Sequence, residues 1–207
     1  MTKRVRNSLE DIKTYLDQGA VCIVPTETVY GLVAKADDGF ALSMIFHAKG
    51  RDEGKPLPIC IADLEQAETF GQFSELAKKL ANEFWPGPLT IVVPEREDYD
   101  SYYSISDPAT KTIAFRCPDI EWREILCSDV PLALTSANKA GEPAPTKADD
   151  VTLFENANLR GLLDLGPCKE GVASTIVSII DNKVKILRNG PISKKALHEV
   201  VYGSPDH

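Results

Sequence analysis

The chain has 207 residues, 43% hydrophobic and 26% charged, an ordinary globular composition with length enough for one domain to bury a full core without metals or disulfides. No run approaches the roughly 18 apolar residues of a membrane span, so a membrane protein is not expected. The formal net charge of −8 argues against a protein that coats nucleic acid with its whole surface, and any anion site has to be focused.

In chain order, the N-terminus "MTKRVRNSLEDIKTYL" is basic but has no apolar core of a signal peptide, because Leu9, Ile12 and Leu16 are separated by charges in a helical rhythm. A cytoplasmic start is expected. Ser8 as N-cap, Asp11 three positions later and Gly19 beyond the end predict a helix over 8–18. "AVCIV" and "VYGLVA" read as strands joined by a Pro-Thr-Glu-Thr turn. "DGFALSMIFHAKG" reads as a helix with Leu42, Ile45 and Phe46 inward and Gly50 near its C-terminal end. "LPICIA" is strand-like, helices are predicted at 63–70 and 74–84, and "FWPGPL" breaks regular structure before the strand "LTIVVP".

The polar stretch 95–110 is long enough for a lid or an insertion. "KTIAFR" and "PLALT" read as strands on either side of a helix at 119–127, and "SANKAGEPAPTKADD" as a loop before a helix around 148–155. "STIVSII" and "KVKIL" form a predicted hairpin across Asp181-Asn182, followed by "RNGPIS" and a last helix. Alternating strands and helices that give way to local pairing predict a single α/β domain with a mixed sheet.

Five widely spaced cysteines without a C-x-x-C pair read as reduced core residues, and the three histidines show no metal-ligand spacing. "IFHAKGRDEGKPLPICIA" concentrates Lys49, Arg51 and Lys55 in seven positions of an acidic chain. It is not a P-loop, since three residues rather than four separate Gly50 and Gly54, and Pro56 follows the lysine. Nucleophilic Ser-His or Cys-His chemistry has almost nothing to work with, so catalysis would depend on charge and positioning.

The remaining candidates are polar residues at strand ends, where ligands bind in α/β sheets. They are Thr26, Glu27 and Thr28, Lys49 and Arg51, Thr112 and Arg116, Ser136 and Asn138, Ser174 and Thr175, and Arg188. Each group has a plainer reading. Lys49 and Arg51 could complement a helix C-terminus, the Thr, Ser and Asn residues could form turns or cap backbone groups, and the arginines could be surface ion-pair partners.

Together the segments "PTETVYGL" (25–32), "AKGR" (48–51), "KPLP" (55–58), "FWPGPLT" (84–90), "TIAFR" (112–116), "SAN" (136–138), "PAPT" (143–146), "GVASTIV" (171–177) and "ILRNG" (186–190) resemble the YrdC-like threonylcarbamoyl-AMP synthase family. The resemblance covers about residues 8–192, leaving a short C-terminal helix and tail at 193–207, and it is to the short bacterial form. It implies an open, twisted mixed sheet with flanking helices around a large, positively lined central cavity. It also implies synthesis of threonylcarbamoyl-adenylate from L-threonine, bicarbonate and ATP with release of diphosphate, for modification of the tRNA adenosine beside the anticodon by separate transferase proteins. By motif, Thr28, Arg116, Ser136 and Ser174 would hold threonine, with a bidentate fork from Arg116 to its carboxylate. Lys49, Arg51, Lys55, Thr112, Asn138, Thr146 and Arg188 would line the nucleotide side, with Lys49 and Arg51 as the catalytic cations. Magnesium would arrive with ATP rather than in a dedicated protein site.

The sequence departs from many relatives at Lys55 (often Asn), Cys60 (often His), Ala173 (often Glu) and Asn189 (often Pro), which implies altered support around the site rather than loss of activity. Two alternatives compete with the enzyme reading. One is an RNA-binding module using the positive cavity, which the net charge and the lack of basic stripes with interleaved aromatics disfavour. The other is an inert relative, which retention of both K-x-R and S-x-N disfavours.

Overall fold

The computed structural model describes residues 6–50, 56–98, 105–152 and 159–203. The chain opens with α1 (Leu9–Asp17), whose N-terminus is closed by a reciprocal pair: Asp11 N–H donates to Ser8 Oγ (3.1 Å) and Ser8 N–H to Asp11 Oδ2 (2.9 Å). Next come β1 (Val21–Pro25), β2 (Tyr30–Lys35), α2 (Gly39–Lys49), β3 (Ile59–Cys60), α3 (Leu64–Glu68), α4 (Glu75–Phe84) and β4 (Leu89–Pro94). The C-terminal half supplies β5 (Ser106–Asp107), β6 (Thr112–Arg116), α5 (Trp122–Leu126), β7 (Leu132–Ser136), β8 (Leu159–Leu162), β9 (Thr175–Ile180), β10 (Lys183–Arg188) and α6 (Lys194–Tyr202). Among the described residues no helix is long and apolar enough to cross a membrane.

All the strands join one mixed sheet in the order β10-β9-β4-β6-β3-β7-β2-β1-β8. The β1–β8, β3–β6 and β4–β9 neighbours are parallel and the others antiparallel. β4 pairs with the whole length of β6, so β5 and β3 share the other edge of β6, at its beginning and its end.

Strand pleating divides this sheet into two unlike faces. Ile23, Leu32, Ile59, Ile91, Val93, Ile113, Phe115, Ala133, Val177 and Ile179 point to one side and pack with Leu42, Ile45 and Phe46 of α2, Ala77 and Leu80 of α4 and Leu197 of α6. On the other side, Cys22, Val24, Val33, Cys60, Leu132 and Leu134 meet Ile12 and Leu16 of α1 and Trp122 and Leu126 of α5. That second core is the smaller one, and the rest of the face is left to Thr90, Val92, Ala114 and Arg116.

Several expectations change. β8 carried no strand signal, because "NLRGLL" has a central glycine; Gly161 is needed there, since a Cβ would lie 2.5 Å from Ile12 Cδ1 where α1 packs on the strand. The β3 segment is a two-residue strand rather than the six of "LPICIA". The 119–127 helix is confined to α5, and only a 3-10 turn at Ala148–Asp150 stands where a longer helix was expected, with 153–158 outside the described residues. Part of the 95–110 stretch forms β5, and 99–104 also lie outside the described residues. The β9–β10 hairpin has the expected turn, with Asp181 and Asn182 both left-handed (φ 51° and 56°), the geometry that matches the twist of the strands it joins.

Four cysteines are buried and Cys168 is partly exposed. Burial pushes the Cys22 and Cys117 thiols up to about 12 and Cys168 to about 11. Alkylation of the native protein at pH 8 is therefore expected to label Cys168 first and the other four after unfolding, which mass spectrometry of labelled peptides will read. Gly190 offers a second test. A Cβ there would lie 2.3 Å from Thr175 N and 2.6 Å from Ala173 O, both backbone atoms that cannot step aside. Gly190→Ala should cost about 1–3 kcal/mol of stability, seen as a drop of several degrees in thermal midpoint.

Candidate active site

The site is a cavity of about 500 Å³ on the sheet face opposite the larger core. Its floor is a row of residues in register across four strands: Arg188 of β10 beside Ile176 of β9, Ile176 beside Thr90 of β4, and Thr90 beside Arg116 of β6. The row explains how two arginines 72 positions apart in sequence come together, since neighbouring strands at one level share a face. On the other flank Gly31 of β2 pairs with Ser136 of β7. A Cβ at Gly31 would meet Leu134 Cδ1 at 2.5 Å and Thr135 O at 3.1 Å, so the absence of a side chain lets the two strands form a tight wall.

Lys49 ends α2 one turn beyond the inward-facing Ile45 and Phe46 and is 5% exposed. Its ammonium donates to the carbonyls of Ser136 (2.5 Å) and Asn138 (2.8 Å). These bonds tie the α2 terminus to the loop after β7 and leave a cation at the cavity wall. Asn138 donates through Nδ2 to Lys139 O (3.0 Å) and Glu142 O (2.7 Å), so it does shape the turn, while its Oδ1 is buried without a hydrogen-bond partner among the described residues.

At the opposite end Ser174 Oγ lies 2.8 Å from Thr90 Oγ1 and accepts from Arg188 Nη2 (3.0 Å), and Arg188 Nε donates to Ser174 O (2.9 Å). Arg188 belongs to an edge strand and keeps solvent-accessible surface, yet protein packs around its guanidinium. Partial desolvation, and then the like charge of Arg116, hold it below its ordinary pKa, and it stays a cation at neutral pH. No carboxylate of the described residues forms an ion pair with it. Arg116 is 6% exposed, with Nη2 donating to Thr28 Oγ1 (2.7 Å) and lying 2.9 Å from Glu27 Oε1.

Of the residues singled out by sequence, Thr26, Lys49, Arg116, Ser136, Asn138, Ser174 and Arg188 line the cavity. Thr28 stands behind the wall, in contact with Arg116. Thr112 begins β6 on the same face as Arg116, but its hydroxyl pairs with Thr110 (2.8 Å) beyond the lining. Thr146 is outside the lining too; its carbonyl accepts from Cys168 N–H (2.8 Å). Arg51 and Lys55 lie outside the described residues. Cys60 is buried against Cys127, their sulfurs 3.6 Å apart, and Ala173 is part of the lining. Thr90 was not assigned a role, although strand alternation with Val92 could have placed it.

The lining holds three cations among the described residues and no carboxylate, and its neutral contacts are hydroxyls, backbone carbonyls and short apolar chains. Such a surface suits anions of some length, and its described residues supply no carboxylate cage for a divalent ion.

A profile of the Sua5/YciO/YrdC family, described as "Telomere recombination", matches residues 14–190. The threonylcarbamoyl-AMP synthase of Bacillus subtilis is 39% identical over 192 residues, 90% of this chain and 54% of that protein. A protein of Methanocaldococcus jannaschii named putative threonylcarbamoyl-AMP synthase is 36% identical, over 91% of this chain and 89% of its own length. A solved structure of Pyrococcus abyssi Sua5 complexed with L-threonine superposes with a TM-score of 0.85 at 34% identity, covering 96% of this chain and 60% of that one. Escherichia coli YciO, at 19% identity and a TM-score of 0.78, shares the fold. The chain thus spans a little over half the length of the Bacillus relative and of Pyrococcus Sua5. From the match over 14–190 and these relatives, it belongs to the Sua5/YciO/YrdC family.

Proposed function

We propose that this chain makes L-threonylcarbamoyl-adenylate from L-threonine, bicarbonate and ATP, releasing diphosphate. The observation that carries the reading is the cationic row: Arg188, without an ion-pair partner among the described residues, faces Arg116 over Thr90 and Ser174, with Lys49 on the opposite wall. A triphosphate and an amino-acid carboxylate together supply the anionic charge that this surface lacks. The Pyrococcus protein was solved with L-threonine, and the relatives named above carry the synthase name.

In this reading Arg116 and Ser174 take the threonine carboxylate, with Thr28 supporting Arg116 from behind the wall and Ser136 lining the flank beside Lys49. Lys49, Asn138 and Arg188 face the nucleotide, joined by Arg51 and Lys55. The threonine amine attacks the bicarbonate carbon, water is lost, and the carbamate oxygen attacks the α-phosphorus as diphosphate leaves. No protein nucleophile is needed. The chain's work is to hold three ligands in line and offset phosphate charge with fixed cations. Magnesium would enter on the triphosphate, which supplies the oxygens that the lining does not, and would neutralise charge on the leaving diphosphate. The product would pass to separate transferases that modify tRNA adenosine.

Purified protein with magnesium and ATP is expected to release diphosphate only when both L-threonine and bicarbonate are present, in a coupled diphosphate assay. Release that ignores either one overturns the reading. Arg188→Ala and Arg51→Ala should each lower kcat/KM by about 10- to 1000-fold, the scale of one lost electrostatic donor. An Arg188→Ala enzyme with unaltered kinetics would remove that residue from the site.

A further inference from the structure

Glu27 is the charged residue of the β1–β2 turn. The turn is rigid. Thr26 Oγ1 accepts from Thr28 N–H (3.2 Å) and Val29 N–H (3.1 Å), and the Thr26 hydroxyl donates to Val29 O (2.7 Å). Trp122 Nε1 donates to Pro25 O (2.6 Å), and Glu170 N–H donates to Glu27 O (2.8 Å). Since the Thr26 proton is given to Val29 O, the Thr28 hydroxyl is the donor to Thr26 Oγ1, 2.8 Å away, while Thr28 Oγ1 accepts from Arg116. A directed relay therefore runs from Arg116 through two threonines to a backbone carbonyl.

Glu27 meets the same corner of the guanidinium. Its side chain and that of Arg116 are each 8% exposed, with Oε1 2.9 Å from Nη2. The contact is an ion pair by distance but is not aligned as a hydrogen bond, and among the described residues both carboxylate oxygens and Arg116 Nε are buried without hydrogen-bond partners. A pair in that arrangement adds little to stability, because burying two charges offsets their attraction. Its effect on orientation is direct: Nη2 is held by Thr28 and Glu27, and Nη1 is the corner not engaged by any described residue.

We propose that Glu27 is a positioning residue for the amino-acid substrate, holding Arg116 by Nη2 so that Nη1 meets the ligand carboxylate. Glu27 does not line the cavity, so it would act on the substrate through Arg116. The inference rests on the reading that this cavity takes L-threonine. It also narrows the bidentate fork expected of Arg116, because one of the two terminal nitrogens is already committed.

Steady-state kinetics of diphosphate release separate positioning from simple charge neutralisation, because the two predict opposite signs. Glu27→Gln keeps the shape and removes a negative charge. If Glu27 only neutralised Arg116, the more positive cavity would bind anions better, and KM for both threonine and ATP would fall or stay the same. Positioning instead predicts a threonine KM raised about tenfold or more, the equivalent of one well-placed contact, with the ATP KM and kcat at saturating threonine changed less than about threefold. Glu27→Asp keeps the charge but withdraws the carboxylate, so it too should raise the threonine KM, whereas neutralisation predicts wild-type behaviour. Should Glu27→Gln fail to fold, Glu27→Asp carries the comparison. An active wild type whose two variants keep its threonine KM overturns the positioning role and leaves the proposed function standing. A wild type without threonine-dependent release overturns both.

Discussion

The two-residue alternation of β4 and β6 sends Ile91, Val93, Ile113 and Phe115 into the larger core and Thr90, Val92, Ala114 and Arg116 into the cavity. Neither strand can slip by one position without exchanging every one of these neighbours, because a one-residue shift would bury Arg116 among aliphatic side chains and expose Phe115 to water. The register of these central strands is therefore fixed by the cost of misplacing a charge as much as by the gain from packing. From that register the rest of the site follows. Thr90 pairs with Arg116, Ile176 with Thr90, and Arg188 with Ile176, so the two arginines end one row with Thr90 and Ile176 between them.

Holding like charges close together requires compensation, and the chain supplies it unevenly. Among the described residues Arg116 has Glu27 and the Thr28–Thr26 relay, Lys49 donates to the carbonyls of Ser136 and Asn138, and Arg188 has the carbonyl and hydroxyl of Ser174 without a carboxylate. The cavity is left with net positive character inside a protein whose net charge is −8. That contrast makes the field local: the acidic exterior discourages non-specific association with polyanions, while the cavity attracts small ones. The same hydrogen bonds that compensate the cations also fix their positions, so the site is set in place by the fold before any ligand enters.

Elements that position the site draw their own rigidity from the two cores. α2 is anchored by Leu42, Ile45 and Phe46, which brings Lys49 to the wall, and Trp122 in the smaller core reaches Pro25 and pins the turn that carries Glu27 and Thr28. Much of the architecture was readable from pattern. The Ser8–Asp11 capping box, the inward face of α2, the left-handed Gly50 and the Asp181-Asn182 turn are local devices, and each appears where the residues predict it. β8 was not readable, because a strand containing glycine has a weak propensity of its own and is held by pairing with β1 and by α1 closing over Gly161.

The sequence by itself determined the family resemblance, the mixed α/β class and the identity of the cations, since motif residues and hydrophobic periods are local properties of the chain. Tertiary structure alone decided which of the candidates share a cavity. Arg116, Ser174 and Arg188 converge through strand register, whereas Thr112 sits on the correct face but beyond the lining, and Thr146 supports the backbone at Cys168. It also decided that Lys49 would clamp the loop after β7 rather than merely face a helix end, and that Glu27 would lie behind Arg116. Those outcomes depend on which strands become neighbours and at what level. That is set by long-range pairing and burial, and nothing within a few residues of each side chain encodes it.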